Sequence, residues 1–245
     1  METLFISDLH LSPQRPEKLE LFKRLLRGRA RQAAALYILG DLFDDFWVGN
    51  DDRTAPNPDI VNELIAFSEI NPRLFIIRGN RDLMLDASFK DVSGCTLLAD
   101  RHVIELDGEK VLLSHGDIFC SNDIGYQRYR RFMQSGFTRF VFPRLPYVLR
   151  IKLSHGLRPL IKKSSSKKAQ DLIDVDQATV EQAMLDHGVQ QLIHGHTHRP
   201  DVHEFQLNGE AATRTVLSDW YIDDGVLVCD KGEQKMMRVD EYLGL

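Results

Sequence analysis

The chain is poor in several features, and each shortage excludes a class of protein. It holds only three cysteines, scattered at Cys95, Cys120 and Cys229, and this low, odd number argues against a disulfide framework and fits a reducing compartment. No run reaches roughly 18 apolar residues, and no basic leader precedes an apolar stretch, so we expect neither a membrane span nor a signal peptide. The protein is therefore predicted to reside in the cytoplasm.

Acidic residues are missing from one long segment. Residues 124–168, named here the basic insertion, contain twelve Lys and Arg and no Asp or Glu, whereas the other 200 residues hold 19 basic and 36 acidic residues. The segment also carries seven aromatic residues and is broken by Gly136, Pro143 and Pro146. We expect it to form two or three short amphipathic helices, inserted into a single domain that spans residues 1–245.

What the chain does contain is a series of five short apolar runs, each ending in polar residues. Runs of this length and of Ile, Leu, Val and Phe are typical of strands buried on both faces, as in a parallel sheet. Their spacing of 33 to 81 residues favours crossover connections over hairpins. The polar residues that follow the runs are Asp8, His10, Asp41, Asn80, His115, His196 and His198.

Residues just past the carboxyl ends of parallel strands converge on one edge of the sheet, so these seven side chains can meet. Two carboxylates, one amide and four imidazoles suffice for two cations, and such a set without thiolate suits Mn, Fe or Zn. Any one of these motifs alone is a weak signal, whereas the five together are strong and predict a hydrolase that acts on phosphate. We assign no ligand role to His102, His155, His187 and His203, which are expected to be solvated or packed in the core.

These motifs resemble the signature of the calcineurin-like metallophosphoesterase superfamily, which reads Asp-x-His, Gly-Asp, Gly-Asn-His/Arg, His and Gly-His-x-His in this order. The resemblance covers nearly the whole chain and implies an α/β fold, a four-layered α/β/β/α sandwich with an inserted helical lid. It also implies a water, activated by both cations, that attacks phosphorus. By position it implies two cations that share the Asp41 carboxylate, the first on Asp8, His10 and His198 and the second on Asn80, His115 and His196.

Within the superfamily, the motifs GNRD, HGD, the IDV tract and HGHTHRP resemble those of the UDP-2,3-diacylglucosamine hydrolases of lipid A biosynthesis. That similarity implies a UDP-diacylglucosamine substrate, attack at the alpha phosphorus, the products UMP and 2,3-diacylglucosamine 1-phosphate (lipid X), and Mn²⁺ as the usual cation. It implies catalytic roles for Asp41, Asn80 and Arg81. The implied substrate contacts are Asn80, Arg81, Asp123, Ser165, Lys168 and His196.

The chain departs from that family at Ile161, where a small polar residue is usual. The sugar contacts are therefore open at this point, and Lys162, Lys163 and Ser164 are alternatives.

Arg81 stands where the wider superfamily usually has a histidine that can protonate a leaving alkoxide. An arginine has no proton to give, but its planar fork can bind phosphate through two hydrogen bonds. A leaving phosphate monoester has a second pKa near ~6 and needs no acid, so Arg81 favours a diphosphate bond over an ordinary phosphodiester. The alternative is that Arg81 only pairs with Asp82 on the surface.

The basic insertion is expected to dock on a membrane. Anionic headgroups attract each nearby Lys or Arg by about 1 kcal/mol, and aromatic and aliphatic side chains can enter the acyl boundary. We expect a peripheral location on the cytoplasmic face of the inner membrane. The residues expected to line an acyl groove between insertion and core are Phe137, Phe140, Val141, Phe142, Leu145, Leu149 and Leu153.

Two other functions compete with this interpretation. A nuclease or nucleotide phosphodiesterase of the same superfamily would use the basic insertion as a strand-binding groove, but Arg81 argues against it, and no nucleic-acid partner is expected. A scaffold that has lost its metals is disfavoured by the complete ligand set. No obligate protein partner is evident.

The remaining segments are expected to be scaffold. Helices are predicted from Pro16 to about Ala33, from Asn57, and from Asp174 or Asp176 through His187 to Gly188. The stretch from His203 to Leu243 alternates strand-like segments with turns such as Asn208-Gly209 and Asp224-Gly225, and it is expected to complete a second sheet.

Overall fold

The computed structural model describes the backbone of residues 1–166 and 174–245 and the side chains of residues 1–156 and 174–245. Two mixed sheets form the centre of the fold. The strands of the first are β1 Thr3–Ile6, β2 Ala35–Ile38, β3 Leu74–Ile76, β4 Thr96–Leu97, β10 Gly225–Asp230 and β11 Glu233–Arg238. Those of the second are β5 His102–Leu106, β6 Glu109–Leu113, β7 Gln191–His194, β8 Asp201–Leu207 and β9 Glu210–Val216.

The central strands of both sheets are parallel, as the buried apolar runs predict. The first sheet has the order β11-β10-β1-β2-β3-β4, and β1 to β4 pair in parallel. The second has the order β5-β6-β7-β9-β8, with β6, β7 and β9 parallel and β5 and β8 antiparallel at its edges. The strands that precede the predicted ligands therefore lie side by side in each sheet.

Three buried clusters define the layers. Because side chains alternate along a strand, Leu4 and Ile6 of β1 pack toward the helices on the outer face of the first sheet, whereas Phe5 packs with Leu113 and Ile193 of the second sheet. Leu112 and Leu192 point the other way, toward a helix on the second sheet. The result is the α/β/β/α sandwich that the resemblance implied.

Helices cover both outer faces. On the first sheet lie α1 Pro16–Arg27, α2 Asn57–Ser68, α3 Phe89–Ser93 and α8 Val239–Leu243, and on the second lies α7 Gln177–His187. The helix predicted to reach Ala33 ends instead at Arg27, before Gly28, and residues Arg29–Gln32 form a 3₁₀ turn. The predicted limits of α7 are confirmed, with the Asp176 side chain accepting from the Thr179 N–H and Gly188 left-handed at φ 62°.

Over its described residues, the basic insertion contains three α-helices, α4 Ile124–Met133, α5 Gly136–Val141 and α6 Tyr147–Ser166. The third is 20 residues long, longer than the expected short helices. Met133 and Phe142 pack into the core of the first sheet, so the insertion is joined to the catalytic scaffold by buried apolar contacts. Among the residues that the structure describes, no helix combines the length and apolar character that crossing a bilayer requires.

The C-terminal strands differ from the expectation in one respect. The β8–β9 hairpin turns at Asn208-Gly209, both with positive φ, as predicted. The turn predicted near Asp224-Gly225 is present, since residues 220–223 form a turn and Asp224 has a φ of 50° directly before β10. The β10–β11 hairpin, which turns at Lys231-Gly232, pairs with β1 in the first sheet. Assigning the whole stretch to the second sheet was wrong because β10 is buried along most of its length and covers the free edge of β1.

Candidate metal centre

The seven candidate ligands follow β1, β2, β3, β6 and β7, where the carboxyl ends of the parallel strands from both sheets face each other. Reasoning from strand ends alone placed them on the edge of one sheet. The structure instead draws them from two facing sheets, and all seven side chains belong to one connected cluster of short contacts.

A first group lies around the Asp8 carboxylate. The Nε2 atom of His198 is 3.2 Å from Oδ1 of Asp8, and the Nε2 atom of His10 is 3.9 Å from the same oxygen. One ligand atom from each of these three residues lies within 4.8 Å of the others. A single cation fits among them.

A second group lies around the side-chain oxygen of Asn80. That Oδ1 atom is 3.3 Å from Nε2 of His115 and 3.1 Å from Nδ1 of His196. Asp41 stands between the groups, with Oδ2 3.5 Å from Nε2 of His10 and Oδ1 3.8 Å from Nε2 of His115. The geometry therefore matches a pair of sites with one shared carboxylate.

Glycines before the ligands permit this close approach. A Cβ on Gly40, whose φ is +92°, would lie 2.6 Å from Nδ1 of His115 and 2.7 Å from the backbone of Gly79. A Cβ on Gly79 would collide with the Asp41 carboxylate. The Gly-Asp and Gly-Asn motifs thus need glycine because the ends of β2 and β3 are pressed against the ligands.

Five of the seven ligand residues adopt a left-handed backbone, which side-chain-bearing residues rarely adopt. Their φ angles lie between 44° and 71°, and each such residue costs roughly 1–2 kcal/mol. This local conformation turns the side chains sharply off the strand ends and into the space between the sheets. The residues are Asp8, His10, Asp41, His196 and His198.

The protonation of the imidazoles suits metal binding. Burial lowers the pKa of His10 to about 3 and that of His196 to about 4, so both rings are neutral at pH 7 and offer a lone pair. His115 donates from Nδ1 to the Leu39 carbonyl at 2.7 Å, which leaves Nε2 toward Asn80 and Asp41. Burial opposes the charged form of His198, but hydrogen bonding to Asp219 and the charge of Asp8 raise its pKa to about 10. A cation on its Nε2 must therefore displace a proton.

Buried polar atoms without protein partners give the test of whether cations fit. In the described part of the chain both ring nitrogens of His10 are buried and make no hydrogen bond, and Oδ1 of Asp8 is buried with Nε2 of His198 3.2 Å away. Most buried polar groups are hydrogen-bonded, so several buried atoms at one point without a protein partner are suited to binding a cation. Among the residues that the structure describes, these atoms belong to the first group, and Asp8 also offers a ligand atom within 4.8 Å of Asp41 and His115. The donor set fits two divalent cations.

Several supporting residues were missed or misjudged from the sequence. Oδ2 of Asp219, a residue outside the five ligand motifs, lies 3.0 Å from Nδ1 of His198. Asp82 is fully buried and accepts from the backbone N–H groups of Leu42 and Phe43, so it does not form a surface pair with Arg81. The signal for Asp82 was its place directly after Asn80-Arg81.

A buried ion-pair network joins the insertion to the site. Asp117, two residues after His115, accepts from Nε of Arg130 at 2.8 Å and from the Tyr126 hydroxyl. Arg130 also binds Asp100 at 2.7 Å, and the Tyr126 ring is stacked 6.4 Å from that of His196. Helix α4 is thereby fixed beside the second group of ligands. The sequence feature that indicated this network was Asp117, the Asp of the HGD motif.

The predicted substrate residues are only partly described. The backbone N–H of Arg81 donates to Oδ1 of Asp41 at 2.8 Å, which places residue 81 beside the shared carboxylate. Asp123 caps α4 by accepting from the Tyr126 N–H at 2.9 Å. Lys168 lies outside the described residues, as do the side chains of Ile161 and Ser165 and of the alternatives Lys162, Lys163 and Ser164.

Comparison with known proteins agrees with this geometry. The sequence model of the calcineurin-like phosphoesterase family matches residues 1–200. The chain therefore belongs to the calcineurin-like phosphoesterases, a class of metal-dependent hydrolases. Yfce, a phosphoesterase from E. coli, shares the fold with a TM-score of 0.50 at 16% identity, over 98% of this chain and 94% of that one.

Within this class the sequence relatives are more specific. The chain is 44% identical to a UDP-2,3-diacylglucosamine hydrolase of Aeromonas hydrophila, over 96% of this chain and 98% of the relative. It is 43% identical to a protein of the same name from Vibrio parahaemolyticus, over 93% of each chain. A third, from Pseudomonas savastanoi, is 44% identical over 93% of this chain and 92% of the relative.

Proposed function

We propose that the protein hydrolyses the diphosphate bond of UDP-2,3-diacylglucosamine, releasing UMP and 2,3-diacylglucosamine 1-phosphate (lipid X), with two Mn²⁺ ions as cofactors. The observation that carries the proposal is the position of Arg81, whose backbone N–H donates to Asp41, the carboxylate shared by both ligand groups, and whose buried side-chain Nε has no hydrogen-bond partner among the described residues. The names of the relatives, which are similar over nearly their full length, support the same substrate. They do not favour the nuclease alternative.

The ligand residues divide the work of holding the cofactors. Asp8, His10 and His198 would hold the first cation, Asn80, His115 and His196 the second, and Asp41 both. Divalent cations bound there supply Lewis-acid activation of water and neutralise charge on phosphate oxygens. The protein keeps Asp8 ionised through the nearby His115 and His198 imidazoles, which lower its pKa against the opposing effect of burial.

Arg81 is proposed to orient the diphosphate. Its Nε atom is buried and has no hydrogen-bond partner among the residues that the structure describes, so a donor is available for a phosphate oxygen. The guanidinium carbon lies 5.6 Å from the centre of the Phe46 ring, which limits how far the side chain can move. Because it cannot protonate a leaving group, Arg81 suits a substrate whose leaving group is itself a phosphate.

An apolar cleft between the insertion and the core begins beside Arg81. Of the seven residues expected to form an acyl groove, Phe142 alone lines this cleft, while Phe137 and Phe140 lie exposed on the outside of the insertion. The cleft encloses only about 10 Å³, room for about one water molecule, so we propose that it widens to take acyl-chain carbons next to the reacting phosphates. Its lining residues are Phe46, Trp47, Arg81, Leu83, Met84, Tyr129, Met133, Phe142 and Ser154.

The outer face of the insertion is proposed to contact the inner-membrane surface from the cytoplasmic side. Phe132, Phe137, Phe140 and Val148 are each more than 60% exposed. Arginines lie among them, and the Arg144 guanidinium stacks 3.7 Å from the centre of the Phe140 ring. Exposed aromatic and basic side chains together are suited to an anionic bilayer surface.

Isotope labelling tests the reaction. The Mn²⁺-loaded protein is incubated with UDP-2,3-diacylglucosamine in ¹⁸O-water, and the products are analysed by mass spectrometry. We expect one ¹⁸O atom in UMP and none in the lipid phosphate, because attack occurs at the alpha phosphorus. Label in the lipid phosphate would move the attack to the other phosphorus, and the absence of turnover would refute the substrate.

A further inference from the structure

Among the three ligands His10, His115 and His198, the side chain of His198 is the most exposed. Its side chain is 32% exposed, against 5% for His10 and 1% for His115. An exposed imidazole can rotate about two side-chain bonds, so something other than enclosure must hold its Nε2 atom toward Asp8.

The segment that holds it is the loop of residues 218–224, which contains none of the five ligand motifs. Oδ2 of Asp219 lies 3.0 Å from Nδ1 of His198, and the Asp219 side chain is only 4% exposed. Since an ionised carboxylate only accepts hydrogen bonds, Nδ1 must carry the proton and Nε2 is the ring atom left for a cation.

The other oxygen of the same carboxylate fixes the loop itself. Oδ1 of Asp219 accepts from the backbone N–H groups of Tyr221 at 2.7 Å and Ile222 at 3.0 Å. Trp220, fully buried, donates its backbone N–H to the Asp8 carbonyl at 3.1 Å and its indole N–H to the Gly225 carbonyl at 3.1 Å. The loop is therefore tied to the backbone of a first-group ligand.

This arrangement also places an aromatic ring over the first group. The Tyr221 ring is 5.8 Å from the His198 ring, stacked at 26°, and 4.9 Å from the His10 ring. The Arg15 guanidinium lies 4.0 Å from the centre of the Tyr221 ring. One carboxylate thus controls both the hydrogen bond to His198 and the ring that packs against it.

We infer that Asp219 is a positioning residue that sets the affinity of the first cation subsite by fixing the orientation of His198. The inference rests on the proposed metal centre and goes beyond it by assigning a role to a residue outside the ligand set. Partners of this kind that orient a ligating histidine are worth about 10- to 100-fold in metal affinity.

The test is a Mn²⁺ titration of the full chain, freed of metal with a chelator, in which free Mn²⁺ is followed by electron paramagnetic resonance. Asp219→Ala is expected to weaken one of two Mn²⁺ sites by about 10- to 100-fold and to leave the other unchanged. Raising Mn²⁺ should restore most of kcat. Asp223→Asn, which removes an exposed carboxylate from the same loop, should bind both ions like wild type.

A double-mutant cycle separates orientation from general damage to the loop. If Asp219 acts through His198, then Asp219→Ala should add nothing to the loss already caused by His198→Ala. Asp219→Asn, which keeps the size and one acceptor oxygen, should fall between wild type and alanine. The inference is overturned if Asp219→Ala binds both ions as tightly as wild type, or if its effect is undiminished in the His198→Ala background. If wild type bound no Mn²⁺, the metal centre itself would be refuted.

Discussion

The side-chain oxygen of Asn80 lies 3.1 Å from Nδ1 of His196, although 116 residues separate them in the chain. Asn80 follows β3 of the first sheet and His196 follows β7 of the second. Their contact shows that the site is closed across the gap between two sheets, and it makes the two sheets interdependent in function.

Removing the shared carboxylate should abolish catalysis. Asp41→Asn is expected to lower kcat by about 10³-fold or more, because it weakens the hold on both cations and their stabilisation is worth several kcal/mol. Steady-state rates and metal content by mass spectrometry check this. Asp59→Asn, an exposed carboxylate on α2, is the matched control, and near-normal turnover by a folded Asp41→Asn protein would contradict the dinuclear site.

Arg81 should matter for phosphate recognition and not for metal content. Arg81→His and Arg81→Lys are expected to lower kcat/KM on the diphosphate substrate by about 10- to 100-fold, the loss expected for a charged hydrogen bond of 1.5–3 kcal/mol. Mn²⁺ stoichiometry should stay at the wild-type value. Full activity of Arg81→His would show that the argument about the leaving group is wrong.

Membrane docking can be tested without disturbing the core. Deleting the insertion would remove buried Met133 and Phe142 from the core, whereas Phe137 and Phe140 are 72% and 61% exposed. Phe137→Ser/Phe140→Ser should weaken co-sedimentation with anionic vesicles by at least about 10-fold, since burying one such ring contributes about 1.5–3 kcal/mol. Ile70→Ser, at an exposed position outside the insertion, is the control. Unchanged co-sedimentation of the double variant would exclude this face as the docking surface.

The link between α4 and the core should be a stability determinant. Arg130→Ala leaves buried Asp117 without its 2.8 Å ion-pair partner, and breaking such a pair from one side costs about 3–5 kcal/mol. Urea unfolding should show this loss. The neighbouring exposed Arg131→Ala should change the free energy of unfolding by less than about 0.5 kcal/mol. Equal stability of the two variants would mean that solvent already screens the Asp117–Arg130 pair.

The parts of the site that could be predicted are those that depend on short local sequence motifs. Each ligand follows a short apolar run, and strand order then brings the ligands together, so Asp8, Asp41 and His196 could be placed from pattern alone. The supporting contacts could not, because each joins segments that only tertiary packing brings together. Asp219 meets His198 only because β10 returns to pair with β1.

The same reasoning explains the errors in the fold. The strand-like pattern of β10 and β11 was visible, but an apolar strand can fill the free edge of either sheet, and sequence does not say which. The expectation for the acyl groove was wrong at two of its residues for a related reason. Along α5 the apolar residues Phe137 and Phe140 were read as facing inward, whereas the helix buries Thr138 and turns its rings outward.

The left-handed backbone at Asp8, His10, Asp41, His196 and His198 sets stability and catalysis against each other at the same positions. Glycine there would relax the chain, yet it would delete the ligand. At Asp8 and Asp41 glycine would also leave the backbone N–H groups of His196 and Arg81 without their carboxylate acceptor, so relaxing the backbone there gives no simple gain in stability. A thermostable version of this enzyme has to gain its stability elsewhere, in the outer helices or the surface loops.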